Sequence, residues 1–168
     1  KVFTATAAMS LIEDGRLHLD DPVEQYLPAF HDVKVRNRAD GTLHAPRNRM
    51  TVEHLFTMSA GLTYDFRTAN WQKGKEDTNG LCPTVEMMSY LAKDPLIFEP
   101  GEHYEYSLCH DALAAVTEVA SGERFRDYVK KRIFDRCGMT HSTFHAQDAD
   151  ETKIAAQYYY HDGQYEPL

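Results

Sequence analysis

The sequence of 168 residues contains no apolar run approaching the roughly 18 residues that a membrane-spanning helix needs. It has no excess of basic charge either. Lys and Arg number 18 against 26 Asp and Glu, giving a net charge of −8. The basic face with which a nucleic-acid binder neutralises phosphates is therefore not expected. Cysteine is scarce: Cys82, Cys109 and Cys137 stand far apart and form no CxxC pair. Such an odd, sparse set argues for free thiols and leans towards a reducing compartment rather than a disulfide framework. No internal repeat, low-complexity linker or secretory leader is visible, and Lys1-Val2-Phe3 already reads as helix.

What remains is ordinary globular material, 42% hydrophobic and 26% charged, of a length that builds one domain with a sizeable core. Val2 to Glu13 places Phe3, Ala7, Leu11 and Ile12 at helical spacing, with Gly15 as a C-terminal stop. Residues 31–49 surround Asp40-Gly41 and predict a short hairpin. Thr51 caps a helix carrying Leu55, Phe56 and Met58 and stopping near Ala60-Gly61. Residues 62–82 read as a polar loop anchored by Trp71, and Thr84 opens another helix over Val85, Met88, Tyr90 and Leu91. Two helical stretches follow, about 111–120 and 125–136, ended by Gly122 and Gly138. The tail has tyrosines on both sides of Asp162-Gly163, which predicts a half-buried hairpin. The fold class is α+β, mostly helical, with two small β elements.

Chemically reactive side chains crowd one stretch, GEHYEYSLCHD at 101–111, behind a Pro-Gly corner. Taken alone it is either a catalytic loop or a polar turn into a helix. Four consecutive blocks decide between them. KVFTATAAMSLIEDGRLHLDDPVEQYLP, MTVEHLFTMSAGL, PLIFEPGEHYEYS and AAVTEVASGERFRDYVKKRIFDRCGM resemble, in order, the serine β-lactamase-related proteins. That family includes class C β-lactamases, D-alanyl-D-alanine carboxypeptidases and related esterases. The resemblance implies the central helical part of a larger serine hydrolase, working through an acyl-serine intermediate on an amide, lactam or ester. It implies no metal or other cofactor, and a small-molecule or peptidoglycan-like substrate. It also leans towards an exported protein, against the hint from the free cysteines.

By the same resemblance Lys1 is the lysine of the family's Ser-x-x-Lys motif, with the serine expected three residues upstream. A lysine one helical turn from a serine shares its helix face, and desolvation can lower its pKa enough to make it a base. Tyr106 matches the tyrosine of the family's Tyr-x-Asn motif, which exchanges protons with that pair. The departure is Leu108, where the pattern has an asparagine. Leucine has neither donor nor acceptor for a substrate's acylamino group, and His110, two residues on, is the polar alternative at this substrate-binding position. An asparagine at 108 would be expected to restore that contact and favour acylamino β-lactams over simple esters.

The bland readings are a solvated terminal lysine, a packing tyrosine among ten, and a helix-start histidine beside Asp111. Cys109 beside His110 suggests a Cys-His nucleophile only weakly, because adjacent residues entering a helix point in different directions. His141 and His145, with Asp148 and Asp150, have metal-like spacing only if helical, and the stretch reads as a turn. No counterpart of the family's Lys-Thr-Gly or His-x-Gly strand occurs before Leu168. The 168 residues are therefore expected to be inactive alone, with apolar faces of the first helix exposed and self-association as a consequence. The alternative is a non-catalytic module that keeps the fold to bind a peptidoglycan fragment or a protein.

Overall fold

The computed structural model describes residues 1–167. Its core is built from six helices, α1 (Val2–Glu13), α2 (Val52–Phe56), α3 (Ala69–Asp77), α4 (Thr84–Leu91), α5 (Cys109–Ser121) and α6 (Phe125–Val129). One wider π turn, Lys130–Phe134, continues α6. Helix α5 is central, packing against α1, α2, α4 and α6. Its run of Ala112, Leu113, Ala114, Ala115 and Val116 is buried, and the alanines let neighbouring helices approach closely. Helix α1 contributes Ala7, Ala8 and Leu11 to the core, whereas Phe3, which shares their helical spacing, stays exposed together with Val2 and Met9. Ser10 Oγ lies 2.9 Å from Tyr128 Oη, and Arg132 Nη2 donates to Asp14 Oδ2 at 2.6 Å, tying α1 to α6 and the π turn.

Both hairpins form. Strands β1 (Val35–Arg36) and β2 (Leu43–His44) pair antiparallel, in the register Val35 to His44. Strands β3 (Tyr158–His161) and β4 (Gln164–Pro167) pair around Asp162 and Gly163, whose φ angles of 48° and 82° make the turn that Asp-Gly favours. The tail is not half-buried as expected. Tyr158, Tyr159, Tyr160 and Tyr165 are all exposed, so both faces of this hairpin are open.

Residues 62–82 also differ from expectation, since they contain α3 rather than an extended loop. Thr68 caps it, its Oγ1 accepting from Trp71 N at 3.2 Å, and Lys73 pairs with Asp77 one turn on. The helix depends on tertiary packing more than on propensity. A Cβ on Gly74 would stand 2.8 Å from the Tyr90 ring, so the glycine lets α3 press against α4. Helix α2 is shorter than expected, ending at Phe56, with Met58 at φ 57° in the turn that follows. Among the described residues no helix is long and apolar enough to cross a membrane.

Candidate active site

Lys1 stands at the N-terminus of α1, and Tyr106 ends the loop before α5. The fold brings them together across the α1–α5 junction. Lys1 Nζ lies 4.4 Å from the centroid of the Tyr106 ring and donates to the carbonyl oxygen of Ser107 at 3.4 Å. A cation over a tyrosine face at a partly exposed site gains about 0.5–1 kcal/mol. Tyr106 keeps 49% of its surface exposed, open to a ligand beside the amine.

The loop carrying Tyr106 is held from two sides. On one, Gly101 N donates to Ser59 O at 2.8 Å, Glu105 N to Met58 O at 3.0 Å and Leu108 N to Thr63 O at 3.1 Å. Gly101 has φ 87°, and a Cβ there would meet His54 Nε2 at 2.9 Å, so the corner has neither the backbone freedom nor the space for a side chain. On the other side Glu99, 4% exposed, accepts from Arg47 N at 2.9 Å and from Arg47 Nε at 3.1 Å. Arg47 reaches on to Glu102, and Asn48 Nδ2 donates to Pro100 O. The β1–β2 region thus grips the loop that sets Tyr106. These backbone bonds leave the tyrosine little freedom to drift.

The two residues at the expected substrate-binding position sit deeper. Leu108 is 1% exposed and belongs to the core. His110 is half-buried, its Nε2 3.3 Å from Phe56 O and its Nδ1 without a hydrogen-bond partner among the described residues. Burial pushes its pKa down, partly opposed by the contact with the Phe56 carbonyl, and the positive charge of Lys1 pushes it the same way as burial. Cys109 is fully buried, accepts from Ser107 Oγ at 3.0 Å, and has its thiol pushed up by desolvation. A thiol held protonated in the core is the opposite of an activated nucleophile. Asp111 feels the positive charge of Lys1, although desolvation is the larger influence and raises its carboxyl.

The sequence reading did not single out Tyr64, which completes the surroundings of Lys1. Its ring centroid is 5.9 Å from Lys1 Nζ and 5.3 Å from that of Tyr106. The signal was available, since Tyr64 follows the Gly61-Leu62 turn that the second block contains. His141 and His145 lie elsewhere, lining a hollow of about 660 Å³ beside Arg126, Lys130 and Phe134. His145 Nε2 takes Arg126 Nη1 at 2.6 Å, and no group of three or more metal-binding side chains occurs among the described residues.

The family profile described as Beta-lactamase matches residues 1–167. Esterase EstB of Burkholderia gladioli is 30% identical over 176 residues, covering 100% of this chain and 41% of EstB. Protein Rv1367c of Mycobacterium tuberculosis is 31% identical over 169 residues, covering 98% of this chain and 42% of its own length. Among solved structures, EstCE1, a hydrolase with promiscuous acyltransferase activity, superposes with a TM-score of 0.78 at 27% identity, covering 99% of this chain and 42% of EstCE1. The chain therefore spans about two fifths of the length of these relatives. Matched along nearly its whole length in sequence and in fold, the chain belongs to the Beta-lactamase family of serine hydrolases.

Proposed function

We propose that these residues supply the general base and the proton relay of an acyl-serine hydrolase acting on an ester, amide or lactam. The observation that carries this is the meeting of Lys1 Nζ with the Tyr106 ring at 4.4 Å, between residues that are remote in sequence. A serine three positions before Lys1 would lie on the same face of α1, one turn away. Its hydroxyl proton passes to the Lys1–Tyr106 pair as its oxygen attacks the substrate carbonyl carbon. The leaving group departs with a proton returned through Tyr106, and water then cleaves the acyl-serine by the same route in reverse. A lysine charge against the tyrosine stabilises a developing phenolate, so the two side chains work as one proton-sharing unit. The 168 residues alone contain no hydroxyl assigned to that step, and we expect them to give no turnover.

A second reading, a binding module without chemistry, is favoured by one observation: the position of the amide reader holds a buried leucine. The two are separated by assaying p-nitrophenyl acetate and a chromogenic β-lactam with a form extended both upstream of Lys1 and downstream of Leu168 to the length of its relatives. On the catalytic reading, Lys1→Met and Tyr106→Phe each lower kcat/KM by about 10²–10⁴, while the isolated chain matches buffer. Full activity in either variant, or turnover by material whose mass confirms 168 residues, overturns that reading.

A further inference from the structure

Basic charge is concentrated at one place in a chain that is acidic as a whole. Residues 34–49 carry Lys34, Arg36, Arg38, Arg47 and Arg49 against a single acid, Asp40. Arg36, Arg38 and Arg47 line a hollow of about 410 Å³ between the β1–β2 hairpin and residues 97–103. His44 joins them from the hairpin and His103 from the loop that leads to Tyr106. Concave sites of this size with convergent polar groups are where small ligands bind.

The acids lining the same hollow are Glu99 and Glu102, and Arg47 engages both. Its backbone N and Nε donate to Glu99, and its Nη2 donates to Glu102 at 2.8 Å. His44 Nδ1 stands a further 3.6 Å from Glu99 Oε1. Arg36 and Arg38 form no ion pair among the described residues, in a chain with 26 acidic side chains. Arg38 is nevertheless aimed, because its Nε donates to Ile97 O at 3.2 Å. The walls are fixed as well: Arg36 N donates to Leu96 O at 2.8 Å, and Leu96 N to Lys34 O at 2.7 Å. The His103 ring meets that of buried Phe98 edge-on at 5.5 Å. Ordering the donors before a ligand arrives removes part of the cost of binding it.

We propose that this hollow binds the phosphoryl group of a small phosphomonoester, held by Arg36 and Arg38 with His44 and His103 beside them. A carboxylate has one charge and two oxygens, which a single guanidinium fork satisfies. Two guanidinium groups and two imidazoles instead match a near-dianion with three acceptor oxygens. Arg47 offsets the repulsion of Glu99 and Glu102, and the hollow leaves space for the organic part of the ester. A ligand there bridges the hairpin and the loop of Tyr106, while Lys1, Tyr64 and Tyr106 are not among the lining residues. The assignment stands on charge and geometry at the hollow and does not require the chemistry proposed at Lys1.

Equilibrium dialysis of labelled glycerol 3-phosphate tests this on the form extended to the length of the relatives, at constant ionic strength. Retention is expected to be saturable, with inorganic phosphate competing at higher concentration and acetate not competing. Arg36→Gln and Arg38→Gln should each raise the half-saturation concentration about tenfold or more, as loss of one charge-assisted hydrogen bond requires. Arg36→Lys, which keeps the charge without the fork, should recover part of the affinity. Arg49→Gln removes the same charge outside the hollow, where Arg49 pairs with Glu24, and should leave binding unchanged. Losses confined to the Arg36 and Arg38 variants uphold the proposal. No retention of glycerol 3-phosphate, acetate competing as well as phosphate, or an equal loss in Arg49→Gln overturns it, whether or not esters are hydrolysed at Lys1 and Tyr106.

Discussion

Leu108 and His110 show how much turns on single positions around Tyr106. The asparagine expected two residues after the tyrosine is replaced by a leucine, and its side chain packs in the core rather than beside Lys1. Leu108→Asn therefore puts an amide where neither of its ends has an assigned partner. The loss of packing and the buried polar group together should cost about 2–4 kcal/mol, read as a lower urea midpoint at unchanged slope. A midpoint within experimental error of the parent's would mean that the side chain at 108 turns outward once it is polar. In that case the β-lactam-to-ester preference should rise. His54 and His110 make a second expectation at this scale. Burial lowers the pKa of both, so in the fold each resists the proton that the unfolded chain accepts. The unfolded state then binds more protons, and stability is full above the ordinary histidine pKa of about 6.5 and falls as pH drops towards the depressed values. Urea midpoints compared at about pH 7.5 and about pH 5.5 should show this loss. His54→Gln combined with His110→Asn should flatten the dependence, and an unchanged slope in that double variant would assign the effect to other groups.

At the scale of elements, the buried carboxylate of Glu99 explains how a two-stranded hairpin can matter to a tyrosine that it never touches. Arg47 is largely exposed whereas Glu99 is not, so the two halves of the pair are not equivalent. Arg47→Ala leaves a buried charge with fewer partners, and should cost roughly 2–4 kcal/mol. Glu99→Gln returns Arg47 to water and keeps an acceptor for its backbone N–H, and should cost about 1 kcal/mol. The ordering of the two thermal shifts is the test, and the reverse order would show that the hairpin is held by its backbone bonds alone. Elements with strong local signals were legible in the sequence. Helices α1 and α5 carry apolar runs closed by glycine stops, although Phe3 of α1 is exposed rather than buried with its helical neighbours, and Asp162-Gly163 announces its turn. Helix α3 was not legible, because ANWQKGKED is polar, contains a glycine, and is held by Tyr90 and Asp94 from elsewhere in the chain. The hairpin tyrosines alternate as a half-buried strand does, yet nothing in the described residues covers either face. Of the candidate site, Lys1 and Tyr106 were named through the family resemblance alone, and the fold sets Lys1 Nζ 4.4 Å from the Tyr106 ring centroid. Tyr64 becomes visible only when its turn and the start of α5 are seen to share a hydrogen bond.

The whole molecule exposes apolar surface in places that its folded core does not explain. Val2 is 76% exposed at the start of α1, Met9 is 43% exposed two helical turns later, and the β3–β4 tyrosines are open on both sides. Burial of apolar area is roughly worth 25 cal/mol per Å², so such surfaces gain from any partner that covers them. The net charge of −8 opposes association between copies at low ionic strength, and added salt screens that repulsion. Two consequences can be separated by light scattering. At high protein concentration the weight-average mass should rise above the 19.2 kDa of one chain, and rise further with salt. The combined Val2→Glu and Met9→Lys variant should lower that mass towards a single chain without lowering the free energy of unfolding by more than about 0.5 kcal/mol, because both positions are at the surface. If association persists undiminished in this variant, the contact lies at the tyrosine hairpin, and Tyr159→Ser with Tyr165→Ser should abolish it instead. A monomer at every concentration and salt, with a sharp cooperative melt, would show that the chain tolerates its exposed apolar faces and that self-association is not a property of this fold.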